Sequence, residues 1–139
     1  MTALYLADKS ALARLGQLQV QQRLGPLLER GLVATCAIVE LEMLFSARSP
    51  SDYEEIRGLR RAAYTWIPVT EVEHERALDV QRQLAARGMH RAVTIPDLLI
   101  GAVAESAGLT VLHYDQDFDH IALVTGQPCE WVVPAGSVP

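Results

Sequence analysis

No apolar run in the 139 residues exceeds about seven, as in Leu98 to Ala104, far short of the roughly 20 a membrane-crossing helix needs. The N-terminus reaches Asp8 without a basic leader or a cleavage-type sequence, so export is not expected and the cytoplasm is the default location. Cysteine is scarce: Cys36 and Cys129 stand outside any CxxC or Cys/His pattern, which excludes a zinc site built from them. They read as reduced, partly buried thiols. Positive charge is also in short supply. Twelve basic against seventeen acidic residues leave a net charge of −5, so bulk positive charge is no basis for nucleic-acid binding, although a local basic surface remains open. Pro and Gly are dispersed and half the residues are hydrophobic, which excludes a disordered or low-complexity chain. The length suits a single domain, 1–139, with a sizeable core.

What is present alternates. Leu4 to Ala7 is a short apolar run that stops at Asp8, and Ser10 to Leu15 is helical. A helix over Val20 to Arg30 is closed by Gly31, a strand covers Leu32 to Thr35, and a helix over Cys36 to Arg48 has apolar residues on nearly every side, which predicts an interior position. The Ser49-Pro50-Ser51-Asp52 break precedes a more polar helix over Tyr53 to Tyr64, then a strand at Trp66 to Val69. Thr70 to Arg87 is an amphipathic helix closed by Gly88, and the segment opening at Thr94-Ile95-Pro96-Asp97 runs as a helix to Gly108. A strand over Leu109 to His113 ends at Asp115 and Asp117. A short helix over Phe118 to Val124 and a strand over Glu130 to Val133 precede a Pro/Gly tail. Strands alternating with helices imply an α/β sandwich with a mainly parallel sheet.

Ligands of such sheets bind beyond the carboxyl ends of the strands, and the acids fall there. Asp8 ends the first strand, Asp115 and Asp117 follow a later one, and Asp97 occupies the first turn of an otherwise apolar helix. At about 100° per residue Ile38, Val39, Phe45 and Ser46 lie beside Glu42, so its carboxylate emerges from an apolar surface, whereas Glu40 is rotated from it by about 200°. Removing Asp8, Glu42, Asp97, Asp115 and Asp117 leaves 17 − 5 = 12 acids against 12 basic residues, so the excess negative charge equals this set. If the five converge, repulsion raises some of their pKa values or demands a cation, and hard carboxylate oxygens favour Mg²⁺ or Mn²⁺. Each acid also has a plainer reading. Asp8 suits a helix N-cap, Thr94 and Asp97 a capping box, Asp115 a turn, and Glu42 an ion pair with Arg14 or Arg48. These explain the residues singly but not their shared strand-helix order.

Four segments carry a resemblance: Leu6-Ala7-Asp8-Lys9-Ser10-Ala11-Leu12, Glu42-Met43-Leu44-Phe45-Ser46-Ala47-Arg48-Ser49, Ile95-Pro96-Asp97-Leu98-Leu99-Ile100 and His113-Tyr114-Asp115-Gln116-Asp117-Phe118. In that order, over almost the full length, the chain resembles PIN-domain proteins, and among them the VapC toxins of prokaryotic toxin–antitoxin pairs. The resemblance implies a three-layer α/β/α sandwich with about five strands. Asp8, Glu42, Asp97 and Asp115 would form an acidic quartet holding Mg²⁺ or Mn²⁺, with Asp117 as a fifth member. The activity implied is metal-dependent endoribonuclease action on single-stranded or loop regions of structured RNA, held in check by a cognate VapB-type antitoxin, in a homodimer. Departures from the family pattern are His113-Tyr114, where relatives often carry Thr, and Lys9 after the first acid.

Around that quartet, Ser10 and Ser46 are placed to hydrogen-bond a carboxylate or a phosphate. Eleven of the twelve basic residues are Arg, and the Arg87-Gly88-Met89-His90-Arg91 segment is the candidate RNA-facing loop, against a plain solvated turn. His74 and His120 read as surface residues. The helices over Val20 to Arg30 and Tyr53 to Tyr64 could accept an antitoxin helix or simply cover the sheet. The competing reading is a noncatalytic α/β interaction module. A phosphoacceptor receiver and an Asp-x-Asp phosphatase are both disfavoured, because the chain has Asp8-Lys9-Ser10 where each needs a second acid.

Overall fold

Short apolar segments rich in β-branched and aliphatic residues form the sheet: β1 (Tyr5–Ala7), β2 (Val33–Thr35), β3 (Thr65–Trp66), β4 (Thr110–His113) and β5 (Cys129–Trp131). Between them run α1 (Lys9–Leu12), α2 (Leu18–Glu29), α3 (Ala37–Leu44), α4 (Pro50–Ala63), α5 (Glu71–Ala86), α6 (Ile95–Ala107) and α7 (Asp117–Thr125). The computed structural model describes residues 2–139. The strand order is β3-β2-β1-β4-β5, and every neighbouring pair is parallel. This is the α/β/α sandwich expected, with a wholly parallel sheet where a mainly parallel one was anticipated. Its central strands are buried on both faces: Leu6, Ala7, Val33, Val111 and Leu112 are fully inaccessible. Among the described residues no helix is long and apolar enough to cross a membrane.

The chain moves outward from β1 through β2 to β3, then returns to the other side of β1 to lay down β4 and β5. The order therefore reverses between β1 and β4, which opens a crevice at their carboxyl ends. Asp8 leaves β1 at that point, and its backbone N–H donates to Leu112 O at 2.9 Å. The sequence's punctuation positions the flanking helices. Gly108 terminates α6 with φ 69°, a left-handed conformation that a side chain would resist.

Several expectations change, among them the strand read over Trp66 to Val69, which is confined to Thr65–Trp66. The helix read over Cys36 to Arg48 stops at Leu44 and is not interior, since Leu41 is 68% and Phe45 89% exposed. Apolar residues all round say that a helix can be buried, not that neighbours suffice to bury it. The helix read as starting at Tyr53 begins at Pro50, with the Ser49 hydroxyl accepting from Asp52 N–H as N-cap and proline at the first position, where its missing donor costs nothing. Thr94 and Asp97 do not form a capping box, for the Thr94 side chain makes no cap bond. A box does form at Thr70 and Glu73, where Thr70 N–H donates to Glu73 Oε1 at 2.9 Å. The T-x-x-E spacing carries that signal. The Pro/Gly tail is tied down as well: Tyr114 donates its hydroxyl proton to Val138 O at 2.9 Å, and Val138 is buried.

Candidate metal centre

Asp8 takes the capping role considered for it. It is the N-cap of α1, its Oδ2 accepting from Ser10 N–H at 3.0 Å and from the Ser10 hydroxyl at 2.6 Å. Its Oδ1 is buried with no hydrogen-bond partner. A cap needs only one oxygen, so the second is left buried and unsatisfied at a desolvation cost. Ser10 Oγ in turn accepts from Tyr114 N–H at 2.8 Å and ties the end of β1 to the segment after β4.

Asp97 is set by α6. The Thr94-Ile95-Pro96 start places it in the first helical turn, 5% exposed. Burial, then a hydrogen bond with Asp117, then the charges of Asp8, Asp115 and Asp117 push its pKa up to about 9. Asp115 and Asp117 come from the turn between β4 and α7. Asp115 Oδ1 accepts from Asp117 N–H at 2.9 Å, and Asp117 Oδ2 accepts from Thr94 N–H at 3.0 Å, which joins the starts of α7 and α6. One oxygen from each of Asp97, Asp115 and Asp117 lies within 4.8 Å of the other two.

Asp8 adjoins this trio. Burial raises its pKa first, with the Asp115 charge adding to it against the bonds from Ser10. Glu42 extends the row outward from α3. Its pKa is raised by burial and by Asp8, opposed by Lys9, and its Oε1 is buried without a partner. Neither suggested arginine pairs with it. Arg14 donates from Nη1 to Ser10 O at 2.7 Å and from Nε to Pro139 O at 3.0 Å, and the Arg48 backbone N–H donates to Asp52. Thus three of the five acids form a compact trio, while Asp8 and then Glu42 continue it electrostatically. Glu40 faces elsewhere, gripped by Arg60 with Nε to Oε1 at 2.9 Å and Nη2 to Oε2 at 2.8 Å.

His113 has no solvent exposure, and its Nδ1 accepts from Asp115 N–H at 3.2 Å. Its ring lies 5.0 Å from those of Phe118 and Trp131, and burial pushes its pKa down to about 4, so it is neutral. No local sequence pattern gives that acceptor role under Asp115. Ser46 does not reach the acids, since its hydroxyl meets only Met43 O, at 3.5 Å. Arg87, Gly88, His90 and Arg91 are exposed on the turn after α5. His74 Nδ1 lies 2.8 Å from Thr70 O at the surface. His120 is half-buried rather than exposed. The contact that sequence reasoning missed is Thr94 N–H on Asp117, for which no local pattern exists across 23 residues.

Known proteins resemble this chain in sequence and in fold. The PIN domain family matches residues 5–124. Ribonuclease VapC21 of Mycobacterium tuberculosis is 48% identical over 137 residues, covering 99% of each chain. Ribonuclease VapC51 of the same species is 47% identical over 138 residues, again with 99% of each chain covered. Among solved structures, VapBC2 from Rickettsia felis bound to a promoter DNA fragment superposes with a TM-score of 0.74 at 15% identity, over 94% of this chain and 99% of that one. VapBC-1 from nontypeable Haemophilus influenzae gives 0.75 at 14% identity, over 95% and 98%. At such identity the structures speak for the fold.

Proposed function

The chain belongs to the PIN-domain family, and from that premise we propose that it is a metal-dependent endoribonuclease toxin, acting on structured RNA in the cytoplasm and neutralised by a VapB-type antitoxin. Relatives with nearly half their residues identical over the full length are ribonucleases by name. The observation that carries the chemistry is the trio of Asp97, Asp115 and Asp117 oxygens, flanked by the partnerless buried oxygens of Asp8 and Glu42. Native structures seldom leave two such atoms unsatisfied side by side. Carboxylates held this way, with no His or Cys ligand in the cluster among the described residues, fit a hard divalent cation such as Mg²⁺ or Mn²⁺. Asp8, Asp97, Asp115 and Glu42 would hold it, with Asp117 beside them. When bound, such an ion supplies charge neutralisation at the phosphate and a more acidic water for in-line attack.

The chain's own residues prepare that site. Ser10 occupies Asp8 Oδ2 and leaves Oδ1 without a partner. His113 Nδ1 holds the backbone of Asp115, and Thr94 N–H holds Asp117. Burial and the neighbouring carboxylates disfavour the charged form of Asp97, so a proton must leave this cluster before it binds a cation, and cation affinity rises with pH. No Ser/His/Asp or Cys/His set serves as a nucleophile in the reading, and none is required. A homodimer is part of it, by family precedent.

The test is to map RNA ends after brief expression of the wild type and of Asp97→Asn, alongside cleavage by the purified proteins with and without a chelator. New ends with the wild type alone, lost on chelation, are expected. Cleavage retained by purified Asp97→Asn and Asp8→Asn would refute the assignment of the site.

A further inference from the structure

Phe45 presents 89% of its surface to solvent at the C-cap of α3, about one turn beyond Glu42. A phenyl ring so exposed contributes little to the fold, because it keeps the hydration that burial would remove. It stands between two open depressions. One, of about 290 Å³, is lined by Lys9, Leu41, Glu42 and Phe45. The other, of about 560 Å³, includes Phe45, Arg48, Ser49 and Tyr53. Lys9 is the chain's single lysine. Although it lies near enough to Glu42 to act on its charge, its ammonium joins none of the ion pairs among the described residues. The exposed Arg48 guanidinium is likewise in none of them, only its backbone N–H being bonded, to Asp52. The strip leading away from the acidic row therefore reads cation, aromatic ring, cation.

We infer that Lys9, Phe45 and Arg48, with Tyr53 beyond them, form a subsite for the single-stranded RNA that flanks the scissile phosphate. An unpaired base stacks on Phe45, and Lys9 and Arg48 meet phosphates on either side of it. The inference rests on the ribonuclease reading above. Its warrant is complementarity: single strands are held by aromatic platforms interleaved with cations, and a chain of net charge −5 needs such cations locally. A protein partner is the other conceivable occupant, and Leu41, 68% exposed, adds apolar surface beside Phe45, but two cations in no ion pair flank that ring, which suits phosphates on either side of a stacked base better than an apolar peptide face.

The experiment measures anisotropy of a labelled unstructured oligoribonucleotide on the Asp97→Asn protein, as a function of salt. Adding Phe45→Ala should weaken binding by about 5- to 100-fold, the range for loss of one stacked base, while Phe45→Trp keeps affinity within about twofold. Lys9→Gln and Arg48→Gln should each reduce the slope of log affinity against log salt by about 0.7, a change that a structural role would not produce. Leu123→Ala, which removes an exposed side chain from α7, is the control and should alter neither quantity. Unchanged RNA affinity in Phe45→Ala overturns the subsite. So does unchanged RNA affinity combined with loss of co-purifying antitoxin, which would assign the ridge to the antitoxin instead. A wild type that cuts no RNA yet binds it in a Phe45-dependent way would refute the nuclease reading and leave the subsite standing.

Discussion

Glu40 and Glu42 sit two residues apart on one short helix, and rotation about its axis sends them to opposite fates. Glu40 and Arg60 form a bidentate pair with side chains only 14% and 9% exposed, and Thr35 donates its hydroxyl proton to the same carboxylate. Glu42 faces Asp8 with an oxygen unsatisfied. The two isosteric substitutions should therefore separate stability from chemistry. Glu40→Gln leaves the Arg60 charge buried without its counter-ion and should cost about 3 kcal/mol in denaturant unfolding, with cleavage per folded molecule retained. Glu42→Gln relieves repulsion between like charges and should leave stability equal or higher, while cleavage falls. The reverse pattern would exchange their roles. The 3.6-residue period separated the two glutamates in sequence and the family resemblance favoured Glu42, but the partner of Glu40 was not legible. Arg60, which holds Glu40, lies 20 residues away, and neither arginine suggested for Glu42 pairs with it: Arg14 bonds Ser10 O, and the Arg48 side chain joins no ion pair among the described residues.

At the scale of elements, the site depends on α6 and α7 keeping their separation, because α6 carries Asp97 and the start of α7 carries Asp117. Gly101 of α6 makes that close approach: a Cβ placed there would meet Ile121 Cγ2 of α7 at 3.3 Å. Gly101→Leu should force the helices apart and destabilise the protein by about 1–3 kcal/mol by overpacking, measured by denaturant midpoint. It should also weaken Mn²⁺ binding in calorimetry, as Asp117 is carried away from Asp97. A variant with full stability and unchanged Mn²⁺ affinity would show that the two helices do not set the site. Element types and order were readable from apolar periodicity, turn residues and the glycine at the end of α6. Element ends were less so. α3 stops at Leu44, and α4 starts at Pro50, because capping by Ser49 outweighs the polar composition of the first turn.

For the whole molecule, the acids proposed to hold a cation weaken the fold without one. The Asp97 pKa rises from an ordinary 3.8 to about 9 on folding, so its contribution to stability is complete below pH 4 and is lost as pH climbs toward 9. His113, lowered from 6.5 to about 4, works in the opposite sense, its contribution being lost as pH falls from 6.5 toward 4. Above pH 6.5 the acid effect remains, joined toward pH 9 by Cys36 and Cys129, whose thiol pKa values burial raises. The thermal midpoint of chelator-treated protein should thus decline between pH 6.5 and 9, and Asp97→Asn should flatten that decline. Divalent cation at about 100 times its Kd should restore about 2.7 kcal/mol to the wild type and much less to the variant. A flat profile in the wild type would contradict a buried, protonated Asp97.

Local physics written in the chain fixed the alternation of strands and helices, the parallel sheet, the N-cap at Asp8 and the candidate acids, since periodicity, capping and strand-end position operate within a few residues. What folding alone settled is long-range. The reversal of strand order between β1 and β4 brings Asp8 beside Asp97, Asp115 and Asp117, sets Thr94 against Asp117, hides His113 beneath Asp115 and leaves Phe45 in water. Contacts between segments tens of residues apart follow from how whole elements pack, and no neighbouring residue in the sequence encodes them.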